Sequence, residues 1–168
     1  MAAAIRRLVL GQVIRRSVNQ ALQARRNKVS ASEEARVVRI LVVDDNPAVR
    51  RYLRAILEQQ NTWRVCSEAQ NGAEAIEKVL EAKPDLILLD HQMPDLNGVD
   101  VARQIADIFP EIPILMVTLH LSNQLAEAAR EAGIKGACAK QDIGSVVEAV
   151  EVLLHHQTYF KPIPAERT

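Results

Sequence analysis

The sequence is poor in aromatic side chains and lacks long apolar runs. Two Phe, two Tyr and one Trp among 168 residues leave the core to the aliphatic residues, which dominate the 48% apolar content. No apolar run approaches the roughly 20 residues that a membrane-spanning helix needs, so we expect a soluble, cytoplasmic protein without a membrane span. The length allows one domain of ordinary size and an appendage.

The two cysteines are too few and too far apart for the common metal and redox motifs. Cys66 and Cys138 lie within separate apolar runs, with neither a Cys-x-x-Cys pair nor a histidine at ligand spacing. This placement predicts two buried, reduced thiols and argues against a disulfide or a zinc site.

Charge is balanced overall but distributed unevenly. Residues 1–32 carry seven basic side chains and no acid, which leaves 14 basic and 21 acidic residues in 33–168, a net charge of −7. An acidic body is not typical of a nucleic-acid-binding domain, so we expect no direct DNA binding. We interpret residues 1–36 as a basic N-terminal extension, loosely helical or disordered; organellar targeting segments share this composition.

From residue 37 onward, apolar runs alternate with helix-periodic segments. The predicted strands cover residues 37–43, 63–67, 86–89, 112–117 and 135–139. The predicted helices cover residues 47–57, 73–82, 99–109, 124–132 and 143–155. Such alternation favours βαβ units, so we predict an α/β fold with a doubly wound five-stranded parallel sheet. In the second helix we place Ala75, Ile76, Val79 and Leu80 inward. The domain should span residues 37–156, and residues 157–168 should form a tail packed on the last helix.

Polar residues stand at the ends of four of these strands. Asp44 and Asp45 follow the first strand, Asp90 the third, Thr118 the fourth and Lys140 the fifth. Because the carboxyl ends of parallel strands share one edge, these side chains should converge. Clustered carboxylates repel one another unless a cation lies among them, and oxygen ligands favour Mg²⁺, or Mn²⁺. Each residue alone is commonly a turn residue or a solvated charge; together they predict a phosphoryl-transfer site.

Sequence landmarks at these strand ends resemble a known family. L-V-V-D-D-N-P, L-L-D-H-Q-M-P-D-L-N-G, M-V-T-L-H and A-K are similar to the landmarks of receiver domains of two-component response regulators. The resemblance covers residue 39 to about residue 162 and implies the (βα)5 flavodoxin-like receiver fold. It also implies that Asp90 is the phosphoryl acceptor and that Thr118 and Lys140 bind the phosphoryl group. By the same resemblance, Mg²⁺ is held by Asp44, Asp45, Asp90 and the main-chain carbonyl of Gln92.

The resemblance further implies the partners. The phosphoryl donor would be a histidine kinase or a phosphotransfer protein, and an unknown downstream protein would receive the signal by protein–protein interaction. Catalysis would be limited to the receiver's own phosphorylation, with Asp90 and Lys140 taking part, and its dephosphorylation. A homodimer is compatible with the sequence. The L-H after Thr118 and the Y-F-K-P tail are similar to receivers that continue into a helix-turn-helix domain, and we expect a stand-alone receiver.

Three positions depart from the commonest receiver pattern. Ala137 stands where many receivers carry an aromatic switch residue, so the readout must use another route or be weak. Gln141 replaces a frequent proline, which makes a cis peptide bond there improbable. Leu119 is bulkier than the small residue often found beside the threonine, and we expect it to slow hydrolysis of the acyl phosphate.

Two other functions compete with this interpretation. A degenerate receiver would serve only as an interaction surface, although the presence of all the site residues disfavours it. An aspartyl-nucleophile phosphatase of the haloacid-dehalogenase type would carry its nucleophile on the first strand, whereas here it follows the third. The histidines lack ligand spacing, and we expect them to be exposed polar residues: His91, His120, His155 and His156.

Overall fold

The computed structural model describes residues 36–161. Within that range the chain forms six strands and five helices. The strands are β1 (Val38–Val43), β2 (Trp63–Ala69), β3 (Leu86–Leu89), β4 (Ile114–Thr118), β5 (Gly136–Ala139) and β6 (Tyr159–Phe160). The helices are α1 (Pro47–Leu57), α2 (Gly72–Ala82), α3 (Gly98–Ile108), α4 (Asn123–Glu131) and α5 (Ile143–Leu154). The predicted basic extension, apart from Arg36, and tail residues 162–168 lie outside the described residues.

The strands form one parallel sheet in the order β2-β1-β3-β4-β5-β6. Alternate side chains of the central strands point to opposite faces and enter two separate apolar clusters. Helices α2, α3 and α4 cover one face, and α1 and α5 cover the other. The α/β, doubly wound parallel prediction is therefore confirmed, whereas the strand number was wrong, because the described residues hold six strands instead of five.

The additional strand comes from the tail that was predicted to pack on the last helix. Tyr159 and Phe160 pair in parallel with β5 at its outer edge, and Tyr159 N–H donates to the Lys135 carbonyl at 2.9 Å. Gly136 permits this approach, since a Cβ there would lie 3.0 Å from the Tyr159 carbonyl oxygen. The Tyr159 hydroxyl also donates to Glu148 of α5 at 2.8 Å. A two-residue strand is too short to show the period-2 pattern that identifies strands in a sequence.

Side-chain caps define where the helices begin. Asn46 accepts a hydrogen bond from the Ala48 N–H, and Pro47 occupies the first helical position. The other helices start at caps of the same kind, at Asn71, Asn97, Ser122 and Asp142. All five caps lie in the loops that follow the carboxyl ends of strands, so each helix turns back from the same edge of the sheet.

The core is aliphatic, as the composition predicted. The largest fully buried side chains are all Leu, Ile or Met. The inward placement of Leu80 was wrong, because its side chain is 53% exposed while Ala75 and Val79 face the sheet. Both cysteines are free, but Cys66 is only partly buried. No helix between residues 36 and 161 combines the length and apolar character that a membrane crossing needs.

Candidate functional site

The register between β1 and β3 brings two aspartates side by side. Val43 pairs with Leu89, so the next residues, Asp44 and Asp90, leave the sheet at the same edge, and Asp90 N–H donates to the Val43 carbonyl at 2.9 Å. Asp44 is 1% exposed and Asp90 is 4% exposed. Asp45 is exposed, and one oxygen from each of the three carboxylates lies within 4.8 Å of the others.

The ends of β4 and β5 complete this edge. Lys140 extends from the end of β5, with its Nζ 2.5 Å from Asp44 Oδ2 and 2.9 Å from Asp90 Oδ2. Its backbone N–H donates to the carbonyl of Thr118 at 2.8 Å, which ties the two strand ends together. Thr118 is 1% exposed, and its hydroxyl oxygen accepts a long hydrogen bond from His120 N–H at 3.4 Å.

The electrostatics of the site are unbalanced, because two buried carboxylates share one ammonium group. Burial raises the pKa of Asp44, and the charge of Asp90 acts in the same direction, while Lys140 and the Asn46 N–H oppose them. Burial alone would lower the pKa of Lys140, but its contacts with the two aspartates outweigh this effect and raise it. Ionised Asp44 therefore costs folding free energy.

The carboxylate cluster suits a hard divalent cation. Asp44 Oδ2 is buried and, despite its ion pair with Lys140, has no well-aligned hydrogen bond, which leaves lone-pair capacity for a further cation. The donors are carboxylate oxygens, the set that Mg²⁺ prefers, and in the part of the chain that the structure describes no histidine or cysteine joins them. Gln92 is exposed in the loop after β3, where the role of its carbonyl stays a prediction.

Replacing Asp44 with asparagine should stabilise the metal-free protein at pH 7, because the pKa of the buried Asp44 carboxyl is raised and its ionised form therefore costs folding free energy. The folded state binds the Asp44 proton more tightly than the unfolded state, so this term weakens stability as pH rises from 3.8 through the raised pKa. Urea denaturation in EDTA between pH 4 and 7 should show that slope in wild type and a smaller one in Asp44→Asn. Asp107→Asn, at an exposed position of α3, serves as control, and a destabilised Asp44→Asn contradicts the prediction.

The structure shows what surrounds the three positions that depart from the commonest receiver pattern. Ala137 is buried and pairs in register with Phe160, whose ring packs against the same apolar cluster and lies 4.2 Å from the Arg130 guanidinium carbon. Gln141 Nε2 donates to the Leu119 carbonyl at 3.1 Å, joining the loops after β4 and β5. None of the peptide bonds between residues 36 and 161 is cis. The Leu119 side chain is 49% exposed.

The histidines mostly lie where we expected. His120, His155 and His156 are exposed. His91 is partly buried, so the prediction of an exposed side chain was wrong for it, and its Nδ1 is buried without a hydrogen-bond partner within residues 36–161.

Two residues near the site, Arg50 and Asp95, were not predicted from the sequence. The Arg50 guanidinium donates to the backbone carbonyls of Asp44 and Asp45 at 2.7 and 3.3 Å. The Asp95 carboxylate accepts from the Gly72 N–H at 3.1 Å, which joins the loop after β3 to the start of α2, and this bond is the main reason that the pKa of Asp95 is lowered. Neither contact could be predicted from local sequence. The partners of Asp95 belong to a different element, and Arg50 reaches its partners through a long side chain.

Comparison with known proteins identifies relatives of this chain. The family model of the response regulator receiver domain matches residues 40–151. Response regulator VraR of Staphylococcus saprophyticus is 31% identical over 125 residues, 74% of this chain and 60% of that protein. The transcriptional regulatory protein DegU of Brevibacillus brevis is 28% identical over 74% of this chain and 53% of its own length. A protein-glutamate methylesterase/protein-glutamine glutaminase of Pyrococcus abyssi is 40% identical over 61% of this chain and 27% of its own length.

Solved structures share the fold. A LuxR-family two-component response regulator from Aurantimonas superposes with a TM-score of 0.73 at 31% identity, covering 75% of this chain and 91% of that one. The signal receiver domain of the putative response regulator NarL from Mycobacterium tuberculosis gives a TM-score of 0.69 at 28% identity, covering 73% and 99%. The chain spans about half of DegU and about a quarter of the methylesterase.

Proposed function

Because the chain belongs to the response regulator receiver family of two-component systems, we propose that Asp90 accepts a phosphoryl group from a phosphohistidine of a histidine kinase or phosphotransfer protein. The observation that carries the proposal is the position of Asp90. It is 4% exposed at the carboxyl edge of the sheet, within a cluster of acidic oxygens and in contact with the ammonium group of Lys140.

The chemistry is a transfer between two protein side chains. A carboxylate oxygen of Asp90 attacks the phosphorus, the phosphorus–nitrogen bond of the donor breaks, and the imidazole leaves with the bonding electrons. An acyl phosphate results, and water later hydrolyses it. Lys140 stabilises negative charge on the phosphoryl oxygens, and the Thr118 hydroxyl donates a hydrogen bond to one of them.

The site also requires a divalent cation. We propose that Asp44, Asp45 and Asp90 hold Mg²⁺, or Mn²⁺, together with the Gln92 carbonyl. When bound, the cation neutralises the charge that builds up as the phosphoryl group approaches these carboxylates. The buried, incompletely satisfied Asp44 Oδ2 supports this assignment.

We place the output of the module in protein–protein contact. A phosphoryl group that binds one conformation of the loops better than another shifts their populations, and a downstream protein, or a second copy of the chain, would recognise the favoured one. The family supports a cytoplasmic location and a chain whose catalysis is confined to its own phosphorylation and dephosphorylation. We expect no direct contact between this chain and DNA.

Intact-mass measurement after incubation with phosphoramidate and Mg²⁺ tests the proposal. Wild-type protein should gain the mass of one phosphoryl group, and EDTA should prevent the gain. A protein that folds and binds Mg²⁺ but gains no mass is a degenerate receiver. Continuous hydrolysis of p-nitrophenyl phosphate would instead favour a phosphatase.

The acyl phosphate should be longer-lived in this protein than in its Leu119→Ala variant. Leu119 directly follows the site residue Thr118 in the chain, and its bulk should restrict the approach of water to the phosphorus. We expect hydrolysis to become several-fold faster in the variant, which corresponds to about 1 kcal/mol of barrier. The decay of phosphorylated protein at neutral pH, followed by mass, checks this; loss within seconds in wild type would contradict it.

A further inference from the structure

Within the described residues, Arg50 is the one residue of α1 whose guanidinium group binds the backbone of Asp44 and Asp45, the two residues after β1 that we call the acidic loop. Its Nη1 donates to the Asp44 carbonyl at 2.7 Å and to the Asp45 carbonyl at 3.3 Å. These carbonyls belong to the two residues whose carboxylates extend into the candidate cation site. The orientation of the Asp44 and Asp45 side chains is therefore linked to the position of the Arg50 side chain.

Arg50 is itself held from the opposite direction. Its Nε donates to Glu68 Oε2 of β2 at 3.2 Å, and the Arg50 side chain is 15% exposed. Arg54, one turn later in α1, pairs with the other Glu68 oxygen at 2.7 Å. Glu68 therefore forms ion pairs with two arginines, and the guanidinium of Arg50 bonds to the Asp44–Asp45 backbone on one side and to Glu68 of β2 on the other.

We infer that Arg50 is a positioning residue for the divalent cation, and that Glu68 keeps it in place and offsets its charge. Neither residue touches the cation; both act through the loop that carries Asp44 and Asp45. Partners of this kind orient metal ligands, and their removal commonly weakens metal affinity by about 10- to 100-fold. This inference rests on the proposed function, because it assumes that the acidic cluster holds Mg²⁺.

The direction in which Mg²⁺ affinity changes when Arg50 is replaced distinguishes a positioning role from a purely electrostatic one. A guanidinium so close to the loop repels a divalent cation, so if Arg50 acted through its charge alone, removing it would tighten binding. If it orients the loop, removing it weakens binding despite the lost repulsion. The two roles therefore predict opposite changes in the dissociation constant for Mg²⁺.

The test is a titration of the unphosphorylated protein with Mg²⁺, followed by calorimetry or by the amide resonances of the acidic loop. We expect Arg50→Gln to raise the dissociation constant about tenfold. Arg51→Gln is the matched control, since Arg51 is the next residue of the same helix, is exposed and carries the same charge. Its dissociation constant should stay within about twofold of wild type.

Arg50→Lys keeps the inference testable if Arg50→Gln does not fold. Lysine retains the charge but cannot reach both the loop and Glu68 with a planar fork, so Arg50→Lys should bind Mg²⁺ about threefold more weakly, between wild type and Arg50→Gln. Unchanged or tighter binding in the Arg50 variants overturns the inference, whereas absence of Mg²⁺ binding in wild type overturns the proposed function instead.

Discussion

Asp90→Asn is expected to lose phosphorylation completely while keeping the fold. The amide has nearly the size of the carboxylate and can still accept a hydrogen bond from Lys140, but it lacks the anionic oxygen that attacks phosphorus. Since two buried carboxylates share that one lysine, removal of one negative charge should not lower the free energy of unfolding. Intact mass after incubation with phosphoramidate and Mg²⁺, together with a urea denaturation curve, measures both properties.

The control for this variant is Asp107→Asn, which removes an exposed carboxylate near the end of α3. It should gain one phosphoryl group at the wild-type rate. If Asp90→Asn still takes up a phosphoryl group, the acceptor is another residue and the proposed chemistry is wrong. If it fails to fold, Asp90→Glu provides the same comparison, because the longer carboxylate moves the attacking oxygen away from its position.

Gly98→Ala should have the largest effect on stability. A Cβ at this position would lie 2.2 Å from the Asp90 carbonyl oxygen and 2.9 Å from the His91 Cα, so backbone rather than a flexible side chain must move. The Gly98 N–H also donates to the His91 carbonyl at 2.8 Å, a bond that such a shift would strain. We expect the free energy of unfolding to fall by about 3 kcal/mol, measured by urea denaturation.

Gly144→Ala, in the first turn of α5, is the matched control. The nearest atom to an added Cβ there is Asp142 Oδ1 at 3.7 Å, an ordinary contact. Alanine has the higher helix propensity, so this variant should be more stable than wild type by about 0.5 kcal/mol. Equal losses in the two variants would show that the close approach at Gly98 is not the cause. A folded Gly98→Ala protein should also bind Mg²⁺ more weakly, because the shift displaces Asp90.

Much of the architecture follows from local features of the sequence. Buried strands appear as short apolar runs and helices as periodic segments, and these patterns predicted the alternation of the first five strands and helices. The site residues could be placed together because parallel strands must end at one edge. Membership of the receiver family, expected from the landmarks around Asp90, is confirmed by the family match.

The tertiary structure decided what depends on register and on long side chains. The strand Tyr159–Phe160 forms because Gly136 lets the tail approach β5. The sequence of the tail has no period-2 pattern that would predict this strand. The same register sets Phe160 beside Ala137.

The candidate site shows the same division. The sequence alone determined which carboxylates converge, because Asp44 and Asp90 each follow a buried strand. Only the folded chain showed that they share Lys140 and that Arg50 holds the loop of Asp44 from outside. The residue pattern of one segment shows whether it is a helix or a strand and where it ends. A contact between two elements depends on the angle and register at which they pack, and the sequence of a single segment does not determine these.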